Sequence, residues 1–274
     1  MLLQVTSRLH IRAGGNSCAV PSPSTSAGRA STKQGRGFSV LELIFVLAIT
    51  TAITALLMPI FSVVRESAQR VICASNQRQI GMAMIMYSDA NRDFLPPSVY
   101  GVPGYEDFAQ QDMMAAHRGG DPLNWEGIGY LYAQHYCSSA QCFYCPSHSG
   151  EHSYERYESL YQFPNSTSMI FTNYHYAGDK DRDELASANP DDAMPLARRR
   201  IIEANTVLLT DGMRTAQDFS HTIGMNVLRG DGSVRWRDDK NEIYPLLPRD
   251  VLVTDNTNVL FNNIWAIINT SDGQ

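Results

Sequence analysis

Between Leu43 and Val64 the chain carries 22 consecutive residues without a charge, LIFVLAITTAITALLMPIFSVV. As a helix rising ~1.5 Å per residue, the run covers about 33 Å, slightly more than the ~30 Å hydrocarbon core of a bilayer. It reads as a membrane span. After Val64 the pattern turns amphipathic: Val71, Ile72, Ala74, Ile80, Met82, Ala83, Met84, Met86 and Tyr87 alternate with Arg65, Glu66, Gln69, Arg70, Asn76, Gln77, Arg78 and Gln79. This spacing predicts one helix from about Phe38 to about Ala90, roughly 80 Å long, with its outer half packed on a globular head. Pro59 is the weak point, because an interior proline costs a helix about 3 kcal/mol and frees a carbonyl; a kink or melted turn is expected there. Asn91-Arg92-Asp93 and then Pro96-Pro97 end the helix.

The last part of the chain reads mostly as strand and turn. Thr206–Thr210 is a β-rich run closed by Asp211-Gly212, and Met225–Arg229 faces Ser233–Arg237 across Gly230-Asp231-Gly232. The Asp-Gly pair supplies the positive φ angles of a tight hairpin, which accounts for Asp231 and Gly232 structurally. The predicted fold class is α+β, a long N-terminal helix laid on an antiparallel β-sheet head, and residues 91–274 are enough for a core of their own. Stretches at about 98–125 and 177–200, rich in Gly, Asp and Pro, read as surface insertions suited to partner specificity.

Charge orients the span. Residues 1–37 hold Arg8, Arg12, Arg29, Lys33 and Arg36 and no acidic residue, which places the N-terminal flank in the cytoplasm and exports the rest. The whole chain has net charge −6; without that flank, 17 basic residues face 28 acidic ones, a net charge of −11. An acidic exported head is poorly suited to nucleic acid. Arg198-Arg199-Arg200 reads as a solvated turn or helix end rather than a binding patch.

A secretory signal is cut after its apolar run and discarded. Here the distinctive residues precede the run: Gly37-Phe38-Ser39-Val40-Leu41-Glu42, with one carboxylate just inside the apolar stretch and Pro59 further along. This arrangement resembles the type IV prepilin family. The resemblance implies cleavage after Gly37 by a prepilin peptidase, N-methylation of Phe38 as the new first residue, Glu42 as the fifth and Pro59 as the twenty-second, where many pilin helices kink. It implies the segments 1–37 as leader, 38–90 as transmembrane and spine helix, and 91–274 as exported head. A lone Glu at a membrane costs a few kcal/mol and usually has a partner. Glu42 either snorkels at the interface or pairs with the α-amino group of Phe38 on a neighbouring subunit and sets the register of a filament.

The wording Cys73-Ala74-Ser75-Asn76-Gln77-Arg78-Gln79-Ile80-Gly81, followed by Tyr87-Ser88-Asp89-Ala90-Asn91, the segment Phe143-Tyr144-Cys145-Pro146-Ser147, and His221 with Asp231-Gly232 in a His-x9-Asp-Gly ending narrow the resemblance. They look like a prepilin-like group with an uncharacterised C-terminal domain, which implies architecture but no reaction. The group's usual second His after Asp-Gly is Ser233 here, which weakens a metal role built on a histidine pair.

Cys137-x4-Cys142-x2-Cys145-x2-His148-x3-His152 offers donors for tetrahedral zinc. In an oxidising compartment, neighbouring cysteines more often form a disulfide, so the expectation is Cys137 or Cys142 with Cys145, with Cys73 as the other available partner. Asp179, Asp181 and Asp183 alternate like the opening of a calcium loop, but the sixth position is not Gly and the twelfth is Pro190, which excludes an EF-hand. No cofactor is expected apart from calcium at these three aspartates. Tyr154, Tyr157, Tyr161 and Phe163 read as core or a docking surface. No P-loop, G-x-S-x-G, H-E-x-x-H or G-x-G-x-x-G pattern occurs in the head, so catalysis is not expected. The leading expectation is a pilin or pseudopilin subunit of a type IV pilus or type II secretion-like filament. It would be a single-pass inner-membrane protein with its head in the periplasm or at the cell surface, and its partners would be the peptidase and other subunits. The alternatives are a tethered binding protein that does not polymerise and an exported metal-dependent enzyme using Cys145, His148, His152 or His221.

Overall fold

The computed structural model describes residues 37–98, 110–119, 125–164, 167, 169–178, 204–221, 223–239, 241–251 and 256–270. The first element, α1, is an uninterrupted helix over Val40–Ala90. Pro59 lies inside it without a melted turn, the carbonyl its missing amide leaves free being that of Ala55 one turn earlier; Ser62 Oγ donates to the Pro59 carbonyl at 2.8 Å. The helix ends as its sequence suggests. Asn91 and Asp93 donate their amides to the Ser88 carbonyl, Asn91 Nδ2 donates to the Tyr87 carbonyl, and Arg92 and Asp93 take positive φ angles of 58° and 67°.

The chain divides into two compact units, Met1–Ile53 and Thr54–Gln274. Every side chain from 37 to 65 is exposed, Phe38 by 86% and Phe61 by 66%. This part of α1 is long and apolar enough to cross a membrane and is a candidate anchor.

In the second unit, α1 turns one stripe inward. Cys73, Gln77, Ile80, Gly81, Ala83, Met84, Tyr87 and Ser88 are buried, following the three- and four-residue spacing of one helix face. They pack on a four-stranded antiparallel sheet of β3 (Tyr174–Tyr176), β4 (Val207–Asp211), β5 (Gly224–Arg229) and β6 (Val234–Asp238), ordered β3-β4-β5-β6. A Cβ on Gly81 would lie 2.8 Å from Leu228 Cδ1, so the glycine sets how closely helix and sheet approach. The hairpin of β5 and β6 pairs Met225 with Arg237 and Leu228 with Val234, and Gly232 at its turn has φ 77°.

Strand β5 is buried at all six positions because both sheet faces are covered. Leu228 joins the core with α1, while Met225 and Val227 join Phe261, Ile264, Trp265 and Ile268 of a C-terminal helix, Asn256–Thr270. The sequence reading did not anticipate this helix, although its buried residues recur at three- and four-residue spacing. Further elements of the unit are β1 (Ala115–His117), a short helix α2 (Gly129–Ala133), α3 (Tyr154–Gln162) and β2 (Ile170–Phe171), which pairs with β1. The C-terminal helix is therefore α4.

Residues 110–119 were expected within a surface insertion, yet Gln111 and Met113–His117 are buried: Met113–Ala116 join the core on the α1 side, β1 pairs with β2, and the turn over Gln110–Asp112 packs on α4. Of the tyrosine stretch, Tyr157 and Tyr161 are core and Phe163 is exposed. Phe261 is fully buried and stacks on His175 at 5.2 Å between ring centroids. Phe261→Ala is expected to cost about 3–5 kcal/mol in urea unfolding of the detergent-solubilised chain; a loss under about 1 kcal/mol would place α4 outside the cooperative core.

Candidate functional site

Three separated sequence features meet in the second unit. Cys73 on α1 is disulfide-bonded to Cys145 of the Phe-Tyr-Cys-Pro-Ser segment, with Cα atoms 5.2 Å apart and a sequence separation of 72. His221, which opens the His-x9-Asp-Gly ending, places its Nε2 3.6 Å from Cys145 Sγ. The partner of Cys145 is thus Cys73, the alternative on the helix, and not Cys137 or Cys142. The reason is packing: polar residues on the face of α1 around Cys73 dock the segment. Gln69 Nε2 donates to the Pro146 carbonyl at 3.0 Å, Asn76 Nδ2 donates to the Tyr144 carbonyl at 3.0 Å, and Ser147 Oγ donates to Glu66 Oε2 at 3.3 Å. From the other side, the Cys145 amide donates to Asn173 Oδ1 at 3.1 Å.

Two acids complete the cluster. Glu66, seven residues before Cys73 and on the same helix face, accepts at Oε1 a 2.6 Å hydrogen bond from His221 Nδ1. A carboxylate only accepts, so Nδ1 carries the proton of this bond, and Nε2, which faces the disulfide, holds the lone pair whenever the ring is neutral. Burial works to raise the Glu66 pKa, but the hydrogen bond and charge of His221, with Arg70 and Ser147, outweigh it and hold the group below its ordinary value. Asp211 at the end of β4 is almost fully buried, its Oδ2 lying 3.8 Å from His221 Nε2. Its Oδ1 accepts from Gln77 Nε2 at 2.9 Å and its Oδ2 from the Asn226 amide at 2.6 Å. Burial pushes its pKa up to about 6, against the opposing effects of His221, Asn226 and Gln77. Trp236 lies edge-on to His221 at 5.5 Å and carries the Arg70 guanidinium 4.2 Å above its ring.

Sequence reasoning named His221 and Cys145 but missed Glu66 and Asp211. Asp211 was taken as the closing residue of a strand, and Glu66 as part of a polar face. The helical spacing Glu66, Cys73, Gln77 was the available signal.

The remaining candidates fall elsewhere. Asp231 is exposed in the hairpin turn, where Oδ1 accepts from the Ser233 amide at 2.8 Å, and this bonding holds its pKa below the ordinary value. Cys137 and Cys142 are free thiols, with Cys142 Sγ donating to the Ser139 carbonyl at 3.1 Å; their mutual interaction lowers the pKa of Cys137 and, with burial, raises that of Cys142 far above the usual range. They line a groove of about 760 Å³ with Ile72, Met82, Met86 and Cys145. His152 bonds Tyr157 Oη at 2.8 Å and lies 3.9 Å from Asp218, while His148 Nδ1 lies 3.5 Å from Ser220 Oγ. The Cys137-to-His152 series does not converge. Among the described residues, the group of three or more His, Cys or acidic donors within 4.8 Å of one another is Cys73, Cys145 and His221. Gly37 and Glu42 are exposed, Glu42 in the first turn of α1. Asp179, Asp181 and Asp183 lie outside the described residues, as do residues 1–36. Compared with protein-family models, with curated proteins and with solved structures, the chain gives no match.

Loss of the disulfide through Cys73→Ser is expected to lower stability by about 2–4 kcal/mol, given the long loop it closes; Cys137→Ser is expected to change it far less. Chemical unfolding of both variants checks the difference. Burial pushes the His152 pKa from 6.5 down to about 4, with Arg214 assisting and Asp218 opposing. The fold thus holds the neutral ring, and its contribution is complete above about pH 6.5 and lost as pH falls through about 4. Asp211 has a raised pKa and acts with the opposite sign, so the comparison to make is between wild type and His152→Gln. The variant is expected to show a shallower loss of melting temperature between pH 6.5 and 4.

Proposed function

We propose that this chain is a pilin-like or pseudopilin subunit, processed after Gly37 and assembled through its N-terminal helix into a filament of the type IV pilus or type II secretion kind. The observation that carries the reading is the stretch from residue 37 to 65, helical from Val40, where every residue is exposed and most are apolar. A surface of this extent has no stable place in water. Lipid covers it first, and neighbouring copies of the same helix cover it in a filament. The outer half of the same helix is bonded into the head by the Cys73–Cys145 disulfide, so an anchor that moved between lipid and filament would take the head with it.

Glu42 gives the transfer a register. It stands in the first turn of α1, where a carboxylate is favoured by the helix dipole. A free α-amino group on Phe38 of an adjacent subunit supplies the opposite charge, and in a low-dielectric surrounding a paired carboxylate is far cheaper than a lone one. The head lies on the exported side of the inner membrane in this reading, in keeping with the basic flank and with a disulfide. The reading calls for no reaction and no cofactor; its partners are the prepilin peptidase and other pilin-type subunits.

Peptide mass spectrometry of the protein from native membranes tests the first step. An N-methylated Phe38 at the mature N-terminus is expected; an intact leader or cleavage after Val64 would overturn the reading. Glu42→Ala is expected to leave cleavage intact and to remove the protein from the sheared filament fraction. Normal assembly of that variant would dismiss charge pairing as the source of register.

A further inference from the structure

Four donor atoms from four separate segments meet beside α1: Cys73 Sγ, Cys145 Sγ, His221 Nε2 and Asp211 Oδ2. The first three lie within 4.8 Å of one another, and Asp211 Oδ2 is 3.8 Å from His221 Nε2. We propose that in its dithiol form the protein binds one transition ion of the zinc class through Cys73, Cys145 and His221, with Asp211 as fourth ligand, and that the disulfide and the metal complex are competing states of one site.

The geometry fits. Tetrahedral zinc with bonds of about 2.0–2.3 Å holds its donors about 3.3–3.8 Å apart. Cys145 Sγ to His221 Nε2 is 3.6 Å and His221 Nε2 to Asp211 Oδ2 is 3.8 Å, so two edges of the tetrahedron already exist. The sulfur pair must separate, which follows from breaking its bond, and Asp211, which stands outside the group of three, must close in on the sulfurs to complete the set.

The surroundings are those of a metal ligand set. Metal-binding histidines usually donate their second ring N–H to a carboxylate or carbonyl, which fixes the ring and its tautomer. Glu66 does this at 2.6 Å and leaves Nε2 as the ligand atom. Asp211 is oriented by the Asn226 amide and Gln77 Nε2, and among the described residues no Lys or Arg lies within ion-pair reach of this buried acid. A bound cation would supply the missing charge. All four ligands are buried, while Cys145 borders the 760 Å³ groove, which offers an ion a way in.

The chemistry balances. A dithiol donor gives two electrons and two protons to the Cys73–Cys145 disulfide and is itself oxidised to a disulfide. The two cysteine thiols then release two protons as their thiolates bind the ion. In the reverse direction a disulfide acceptor takes the two electrons, and two protons from solvent, and leaves as a dithiol, while the ion is released and the Cys73–Cys145 bond re-forms.

The test uses full-length protein in detergent, reduced with a dithiol, freed of reductant and titrated anaerobically with Co2+ as the spectroscopic probe. One equivalent is expected to bind, with a thiolate-to-cobalt charge-transfer band and strong tetrahedral d–d absorption. Bound metal should protect Cys73 and Cys145 from alkylation while Cys137 and Cys142 still react. Oxidised protein should show neither effect. His221→Gln should abolish tight binding, and Glu66→Gln, at a half-exposed side chain, should weaken it about 10- to 100-fold with an unchanged near-ultraviolet circular dichroism spectrum. The inference is overturned if reduced wild type binds no stoichiometric Co2+, if the oxidised form binds equally well, or if binding survives His221→Gln and is lost in a Cys137→Ser/Cys142→Ser variant. None of these outcomes depends on filament assembly.

Discussion

The head depends on the way the polar stripe of α1 is tied to the Phe-Tyr-Cys-Pro-Ser segment. One covalent bond, Cys73 to Cys145, is flanked by hydrogen bonds from Gln69, Asn76 and Ser147 and is backed by the Glu66–His221 contact. Each polar bond alone contributes about 1 kcal/mol net. The disulfide reduces the freedom of the unfolded chain and so makes the whole set more persistent than its parts. With the helix held there, its apolar stripe of Ile80, Ala83, Met84 and Tyr87 is presented to the sheet, and Gly81 lets the two layers close.

Much of this was legible in the sequence where local physics decides. The spine helix follows from periodicity, and the β5–β6 hairpin follows from Asp231-Gly232, because few residue pairs adopt the backbone angles that such a turn demands. The helix end at Ser88–Asp93 is equally local. Long-range facts were not legible. Nothing near Asp211 shows that its carboxylate turns inward to meet a helix residue 134 positions away, and nothing near Glu66 shows that its partner is His221. Cysteine pairing was biased towards sequence neighbours, whereas a disulfide needs only a suitable Cα separation in space. Helix α4 was missed because the strands before it set the expectation for the whole C-terminal part, although Phe261, Ile264, Trp265 and Ile268 carry a helical repeat.

The electrostatics of the cluster differ from those of an ordinary core. Asp211 is buried with backbone and amide donors but, among the described residues, without a lysine or arginine, while His221 shares its two nitrogens between a half-exposed acid and a pair of sulfurs. Such arrangements are expensive to bury and are retained where a specific geometry is needed. The second polar cluster, with His152, Tyr157, Arg214 and Asp112, is more nearly self-compensating, since Arg214 pairs with Asp112 at 3.0 Å and His152 is held neutral by its burial.

Strand β6 stands at the edge of the four-stranded sheet, a position whose unpaired backbone groups invite another strand to add on. It carries Arg235 and Asp238 exposed, Arg237 paired with Glu242, and Trp236 covered by Arg70. In a polymer held together by its helices, heads would sit at very high local concentration, the condition under which open sheet edges fuse into aggregates. In the proposed filament a charged edge would keep the adhesive surface confined to the helix and let subunits crowd together without their heads sticking.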